Sequence, residues 1–344
     1  MIYLFPFLSS FFLTLILTPL IRRLAIRKNV VDRPGGRHIH SQPTAKWGGL
    51  AIAISFWLVV LIVYSFNTSR LDFSPWKISR LDANLLGMFL GSLILVILGA
   101  LDDKRALPPW VKLAGQIIAS AIVVGFGVKI WWITNPFGGL NWDLGWLTYI
   151  LVPLWLVMII NAVNWVDGLD GLAGSLSLAA ALILLFLGLK PDVNQPAMAL
   201  LATVLAGTLV GFLPYNLPPA KIFLGDSGSL FLGFMLGVFA IISGAKLATA
   251  ALVLGVVIID ALWVIVGRLR RRQPVWQGDA NHLHHRLLAK GWSQRQIVLL
   301  YLILAIGFGL VGIFGHSYSK FWGLVIMAGV VTTISLYANI KNKI

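Results

Sequence analysis

Ala83-Asn-Leu-Leu-Gly-Met-Phe-Leu-Gly-Ser-Leu-Ile-Leu-Val-Ile-Leu-Gly-Ala-Leu101 runs for nineteen residues without a charge and ends on Asp102-Asp103. At about 1.5 Å per residue, a helix of that length reaches roughly 28 Å, close to the hydrocarbon thickness of a bilayer. The stretch therefore predicts a membrane span. The carboxylates at its end then need a reason, because an ionised side chain beside hydrocarbon costs several kcal/mol unless it is paired, hydrated or metal-bound.

The same kind of apolar run recurs along all 344 residues, which are 58% hydrophobic and 11% charged, with a mean hydropathy of +0.88. Eleven spans are expected, near 3–21, 48–66, 83–101, 111–128, 146–163, 171–189, 197–213, 228–244, 247–267, 297–315 and 321–340, with 197–213 and 228–244 the least distinct. This predicts an all-α, polytopic integral membrane protein forming one transmembrane domain over 1–344. The first run lacks a basic leader and a small-residue cleavage site, so it reads as a retained helix.

Lys and Arg set the orientation. Twenty lie in connections after odd-numbered spans or in the C-terminal tail, and seven on the other side. The positive-inside rule then places the N-terminus outside and the C-terminus in the cytoplasm. The net charge of +15 follows from this asymmetry and from attraction to anionic headgroups, so nucleic acid is not an expected partner. The absence of cysteine excludes disulfides, thiolate ligands and thiol nucleophiles.

All twelve acidic residues are aspartates, and five fall in three short gaps on the predicted cytoplasmic face: Asp102 and Asp103, Asp167 and Asp170, and Asp226. Cytoplasmic loops near 22–47, 102–110, 161–170, 214–227 and 268–296 are expected to build one site. The longest, 22–47 and 268–296, are basic and suit the walls of a site for an anionic ligand.

Asp102 and Asp103 are adjacent and need a cation or a shared proton. Lys112, at the start of the next span, points back toward them. Ordinary solvated loop charge is the plain alternative. Asn161-Ala-Val-Asn164-Trp-Val-Asp167-Gly-Leu-Asp170-Gly is the densest motif. On a continuous helix Asn161 and Asp170 face opposite ways, so the chain is expected to leave the helix after Asn164 through Gly168 and Gly171. Asp170 also reads as an N-cap. Asn216-Leu-Pro-Pro-Ala-Lys221-Ile-Phe223-Leu-Gly225-Asp226-Ser-Gly228-Ser sets Asp226 between glycines before a helix N-terminus, a place for a metal ligand or a cap, while Phe223 suits packing unless its loop turns inward. His282-Leu-His284-His285 follows four arginines in the basic loop. It lacks the further ligands of a zinc site and suits phosphate contact. Asp260, inside the ninth span, needs a buried partner or a wet groove.

Together, Leu101-Asp-Asp-Lys, the Asn161–Gly171 motif, the Asn216–Ser229 motif and His282-Leu-His-His resemble the polyprenyl-phosphate N-acetylhexosamine-1-phosphate transferases. Asp32-Arg-Pro-Gly-Gly-Arg37-His-Ile-His40 resembles that family's first cytoplasmic loop, and the likeness runs from about residue 30 to 296. His-Leu-His-His is similar to the branch using UDP-N-acetylglucosamine, whereas the muramoyl-pentapeptide branch carries three consecutive histidines. Two departures, His38 and Ala280, stand where that branch commonly has Lys and Arg.

The resemblance implies transfer of a sugar-1-phosphate, N-acetylglucosamine-1-phosphate in this branch, from a UDP-sugar to undecaprenyl phosphate with release of UMP. This would be the first membrane step of a cell-envelope polysaccharide at the plasma membrane. It implies Asp226 and Asp103 at a metal, and Asp102 as base or as covalent nucleophile. Lys112, His282, His284 and His285 would contact phosphates. Asn161, Asn164, Asp167, Asp170, Asn216, Phe223, Arg37 and His40 would bind substrate, Phe223 by stacking on uracil. Hard oxygen donors favour Mg2+, with Mn2+ as a substitute. A homodimer is compatible with the sequence.

Three rivals compete with this reading. A phospho-N-acetylmuramoyl-pentapeptide transferase differs only in donor. An aspartate-rich intramembrane prenyltransferase leaves the Asp226 loop and the histidines without a task. A cation-coupled transporter using Asp260 predicts an inverted repeat, which the sequence does not show.

Overall fold

The computed structural model describes residues 2–33, 43–66, 68–78, 81–243, 247–274 and 281–339. The chain is all-α and polytopic. Its helices are α1 Leu4–Arg27, α2 Gly48–Phe66, α3 Ala83–Lys104, α4 Pro109–Gly125, α5 Thr148–Val166, α6 Leu172–Leu189, α7 Pro196–Asn216, α8 Gly225–Ile242, α9 Leu247–Val253, α10 Gly255–Arg270, α11 Leu283–Ala289, α12 Gln294–Phe314 and α13 Ser317–Asn339.

Every expected span coincides with a helix. Among the described residues nine helices are long and apolar enough to cross, and a tenth crossing is the pair α9 and α10, bent by 78°. The helix at the eleventh place, α4, is shorter, with 17 residues. The expected continuous span over 247–267 is thus broken at Leu254. Gly255, which opens α10, lies so close to Met327 of α13 that an added Cβ would overlap its sulfur.

Local sequence explains several helix ends. Asp82 caps α3, its Oδ1 accepting from the Leu85 N–H at 3.1 Å. Pro108-Pro109 separates α3 from α4, and Pro109 takes the first helical turn, where a missing N–H costs nothing. Helix α5 continues to Val166, two residues beyond the predicted exit at Asn164.

The most enclosed helices are α7 and α8, each 83% buried over its apolar window. Helix α8 packs on α2, α3, α5 and α6, while α7 packs on α1, α2 and α6. Two loops are joined at one end of this core. In the first, Val31–Asp32 (β1) pairs antiparallel with Thr44–Ala45 (β2). The Phe223 N–H donates to Ala45 O at 2.8 Å, Gly48 N–H to Phe223 O at 3.0 Å and Gly49 N–H to Leu224 O at 2.8 Å. Trp47 adds a tie to α3, its Nε1 donating to Ala100 O at 3.0 Å. Backbone bonding thus brings the ends of α3 and α7 and the starts of α2 and α8 to one place.

Candidate active site

Asp103 and Asp226 meet at the junction of α3 and α8. Both Asp103 oxygens face the first turn of α8: Oδ1 accepts from Asp226 N–H at 2.9 Å, and Oδ2 from Ser227 N–H at 3.2 Å and Ser227 Oγ at 2.9 Å. A carboxylate from another helix thus satisfies the free N–H groups of this N-terminus. The approach needs a glycine. At Gly225, with φ +73°, a Cβ would lie 2.5 Å from Asp103 Oδ2.

Asp226 points away from that cap. Its Oδ2 lies 2.9 Å from Lys112 Nζ, and its Oδ1 accepts from Asn164 Nδ2 at 3.0 Å. Asn164 also donates to Ser229 Oγ at 2.8 Å. Lys112 reaches Asp102 Oδ2 at 3.3 Å, and Asp102 Oδ1 accepts from Leu107 N–H at 2.7 Å. One ammonium therefore bridges two carboxylates from different helices.

Beside this cluster opens a cavity of about 920 Å³. Of the predicted residues, Asp103, Asp167, Asp170, Asn216, Phe223, Asp226 and His285 line it. Asp102, Lys112 and Asn164 stand behind Asp226 as its bonded support. Asn161 is turned elsewhere, in a two-way amide pair with Gln116 of α4: Asn161 Nδ2 to Gln116 Oε1 is 2.7 Å and the return bond 3.4 Å. Asp170 Oδ2 accepts from Ala220 N–H at 3.0 Å, and Asn216 Nδ2 donates to Ile222 O at 3.1 Å, so both shape the 216–223 loop. Arg37 and His40 lie outside the described residues.

Asp167 sits just past the end of α5. Burial, then the charges of Asp226 and Asp103, push its carboxyl well above the ordinary carboxylate range, with Lys46 opposing. Asp103, Asp167, Asp170 and Asp226 thus crowd one wall of a cavity whose other walls include Arg22, Lys46, Lys221 and Arg295.

The histidines divide by environment. His282 Nδ1 lies 2.9 Å from Asp260 Oδ2, while Asp260 Oδ1 accepts from Leu283 N–H at 2.8 Å and pairs with Arg286 at 3.4 Å. Arg286 in turn donates to Ser335 O of α13 at 3.0 Å. Asp260 thus has its buried partners, and they anchor the histidine loop. His284 is fully buried under Gly168, where a Cβ would lie 2.5 Å from its Nε2. Burial, then neighbouring His285, His282 and Arg286, hold its imidazole well below the usual histidine range. His285 alone of the three lines the cavity.

Among the described residues no three His or Asp side chains form a ready metal cage. The carboxylates on the cavity wall would fit a Mg2+ site of the usual kind, in which one or two carboxylates hold the ion and substrate phosphates complete its shell. Asp226 has hard oxygens on the cavity wall, with the Lys112 ammonium 2.9 Å from its Oδ2.

Sequence reasoning missed Gln116, Ser227, Ser229, Gln294 and Arg295. The serines lay within the Asn216–Ser229 motif and carried a signal; Gln116 carried none, since its partner Asn161 lies 45 positions away in the chain.

Residues 85–244 match the family model described as glycosyl transferase family 4. Over 98% of its length the chain is 34% identical to the probable undecaprenyl-phosphate N-acetylglucosaminyl 1-phosphate transferase of Bacillus subtilis (strain 168), covering 92% of that protein. The chain belongs to glycosyl transferase family 4. Among other members of glycosyl transferase family 4 that it resembles is the decaprenyl-phosphate N-acetylglucosaminephosphotransferase of Mycolicibacterium smegmatis, 35% identical over 95% of this chain and 86% of that one. The phospho-N-acetylmuramoyl-pentapeptide-transferase of Moorella thermoacetica is 32% identical over 90% and 97%. As a family member the chain is a membrane transferase, which removes the transporter and prenyltransferase readings.

Proposed function

We propose that the chain transfers N-acetylglucosamine-1-phosphate from UDP-N-acetylglucosamine to undecaprenyl phosphate, releasing UMP. The observation that carries this is the Lys112 bridge between Asp102 and Asp226 at the edge of the large cavity, in a chain similar to enzymes named for that transfer. In the reaction an oxygen of the lipid phosphate attacks the β-phosphorus of the nucleotide. A new P–O–P bond forms, the bond from the β-phosphorus to the α–β bridging oxygen breaks, and UMP leaves with that electron pair.

The chain's own residues have definable tasks. Two anionic phosphates must approach, and Lys112, with Arg22, Lys46 and Lys221 on the cavity wall, offsets their repulsion. Asp103 fixes the start of α8 and so the position of Asp226. Asp102 orients the lipid phosphate or withholds its proton; a monoester with a second pKa of about 6 is already mostly dianionic at neutral pH, so the base is only partly needed. Phe223, half-buried on the wall, and Asp170 would contact the nucleoside. Asp226, supported by Asp103, would hold Mg2+, which supplies charge neutralisation on the diphosphate.

The His-Leu-His-His pattern and the two N-acetylglucosamine-named relatives favour the simple sugar over the muramoyl-pentapeptide nucleotide. The site is assigned to the cytoplasmic face of the plasma membrane, following the Lys and Arg asymmetry, where nucleotide sugars are made. The test is a donor comparison with purified protein, undecaprenyl phosphate and Mg2+. UDP-N-acetylglucosamine should give a lipid diphosphosugar, and UDP-N-acetylmuramoyl-pentapeptide should not. The reverse preference moves the chain to the other branch.

A further inference from the structure

The helices that build the active site at one end enclose a second cavity at the other. Helices α3 and α7 begin here and α4 and α8 end here, at the opposite membrane face. The cavity measures about 410 Å³, and its lining includes Ser74, Asn84, Lys129, Trp131, Trp132 and Gln195.

Two features of this cavity call for a ligand. Asn84 is 8% exposed, and its Oδ1 is buried without a hydrogen-bond partner. Burying an amide oxygen unpaired is costly, so such an atom on a cavity wall marks a place for a donor. Gly127, with φ +101°, keeps the approach open, since a Cβ there would lie 2.9 Å from that oxygen. Lys129 supplies the complementary group. Its Nζ lies 2.8 Å from Tyr149 Oη, 4.7 Å from the Tyr149 ring centre and 5.3 Å from that of Trp131. Aromatic faces attract a cation without neutralising it, and among the described residues no carboxylate pairs with this one.

We propose that this cavity binds the headgroup of an anionic, hydroxyl-bearing phospholipid, with its phosphate against Lys129 and a headgroup hydroxyl donating to Asn84 Oδ1. The site's depth matches. It lies at the helix ends, ringed by the exposed indoles of Trp76, Trp131 and Trp132, a residue type that settles at the headgroup level of a bilayer. A phosphocholine headgroup fits poorly, because it has no O–H or N–H for Asn84 and its quaternary nitrogen cancels the phosphate charge that would face Lys129. The site is independent of the transferase reaction at the other face.

The experiment uses purified full-length protein, delipidated in detergent, offered equimolar phosphatidylglycerol and phosphatidylcholine with matched chains, with bound lipid counted by native mass spectrometry. Wild type should retain phosphatidylglycerol in roughly tenfold preference, as expected for the one hydrogen bond to Asn84 and the net negative charge that phosphatidylcholine lacks. Asn84→Leu and Lys129→Met should each bring the ratio toward one, and Lys129→Arg should keep it. Should Asn84→Leu fail to fold, Lys129→Met, on a half-exposed connection, carries the test. A wild-type ratio near one, or an unchanged ratio in Lys129→Met, overturns the proposal.

Discussion

Lys112 Nζ lies 2.9 Å from Asp226 Oδ2, joining two residues 114 positions apart that belong to α4 and α8. The same ammonium reaches Asp102, so one cation holds the ends of three helices in register. Lys112→Met removes that charge at nearly constant length. UMP release should fall by about 10²-fold or more, with Lys112→Arg between it and wild type. Rates within twofold of wild type in Lys112→Met would exclude Lys112 from phosphate chemistry.

Asp226→Asn keeps the side-chain volume and the bond from Asn164 can be replaced, but the negative charge is lost. Activity should drop by roughly 10²–10³-fold in a protein that still inserts and purifies as wild type. Chelation should silence the wild-type enzyme and Mg2+ restore it. Near-normal turnover with ordinary Mg2+ dependence in Asp226→Asn would reject its role at the metal.

The apolar runs made the helices legible, because hydrocarbon-length segments have few other uses. The least distinct runs, 197–213 and 228–244, became the most enclosed helices, and the reason is physical: α8 faces protein more than lipid, so glycine and serine replace the large apolar side chains that give a strong signal. The break at Leu254 was not legible, since no proline marks it and the close approach of Gly255 to Met327 comes from a helix about seventy residues on. Asp103 and Asp226 were legible as polar residues at span ends. That Asp103 caps α8, and that Asn161 serves Gln116 instead of the cavity, depends on helix rotation that residue spacing alone does not fix.

Asp260 should prove structural in effect. Asp260→Ala leaves Arg286, 9% exposed, as a buried cation without its carboxylate and frees His282. A loss of about 3–5 kcal/mol is expected, read as a lower thermal midpoint together with reduced activity. An unchanged midpoint would show that the network does not anchor the histidine loop.

His284 gives the fold an acid-side weakness. Its folded pKa lies below the ordinary 6.5, so the unfolded chain binds the proton more readily and stability falls as pH drops below about 6.5. Above that value the contribution is intact. His284→Phe should flatten the fall of the thermal midpoint between pH 7.5 and about 5.5, at most about 1.4 kcal/mol per pH unit. Parallel curves for the two proteins would contradict the assignment.

The most direct measurement of the central claim is UMP release by purified protein with UDP-N-acetylglucosamine and Mg2+, with and without undecaprenyl phosphate. Direct transfer predicts UMP only when the lipid is present, one UMP per lipid diphosphosugar, and residual activity in Asp102→Asn that rises with pH. Stoichiometric UMP without lipid, together with a sugar-phosphate covalently attached at Asp102, would contradict it.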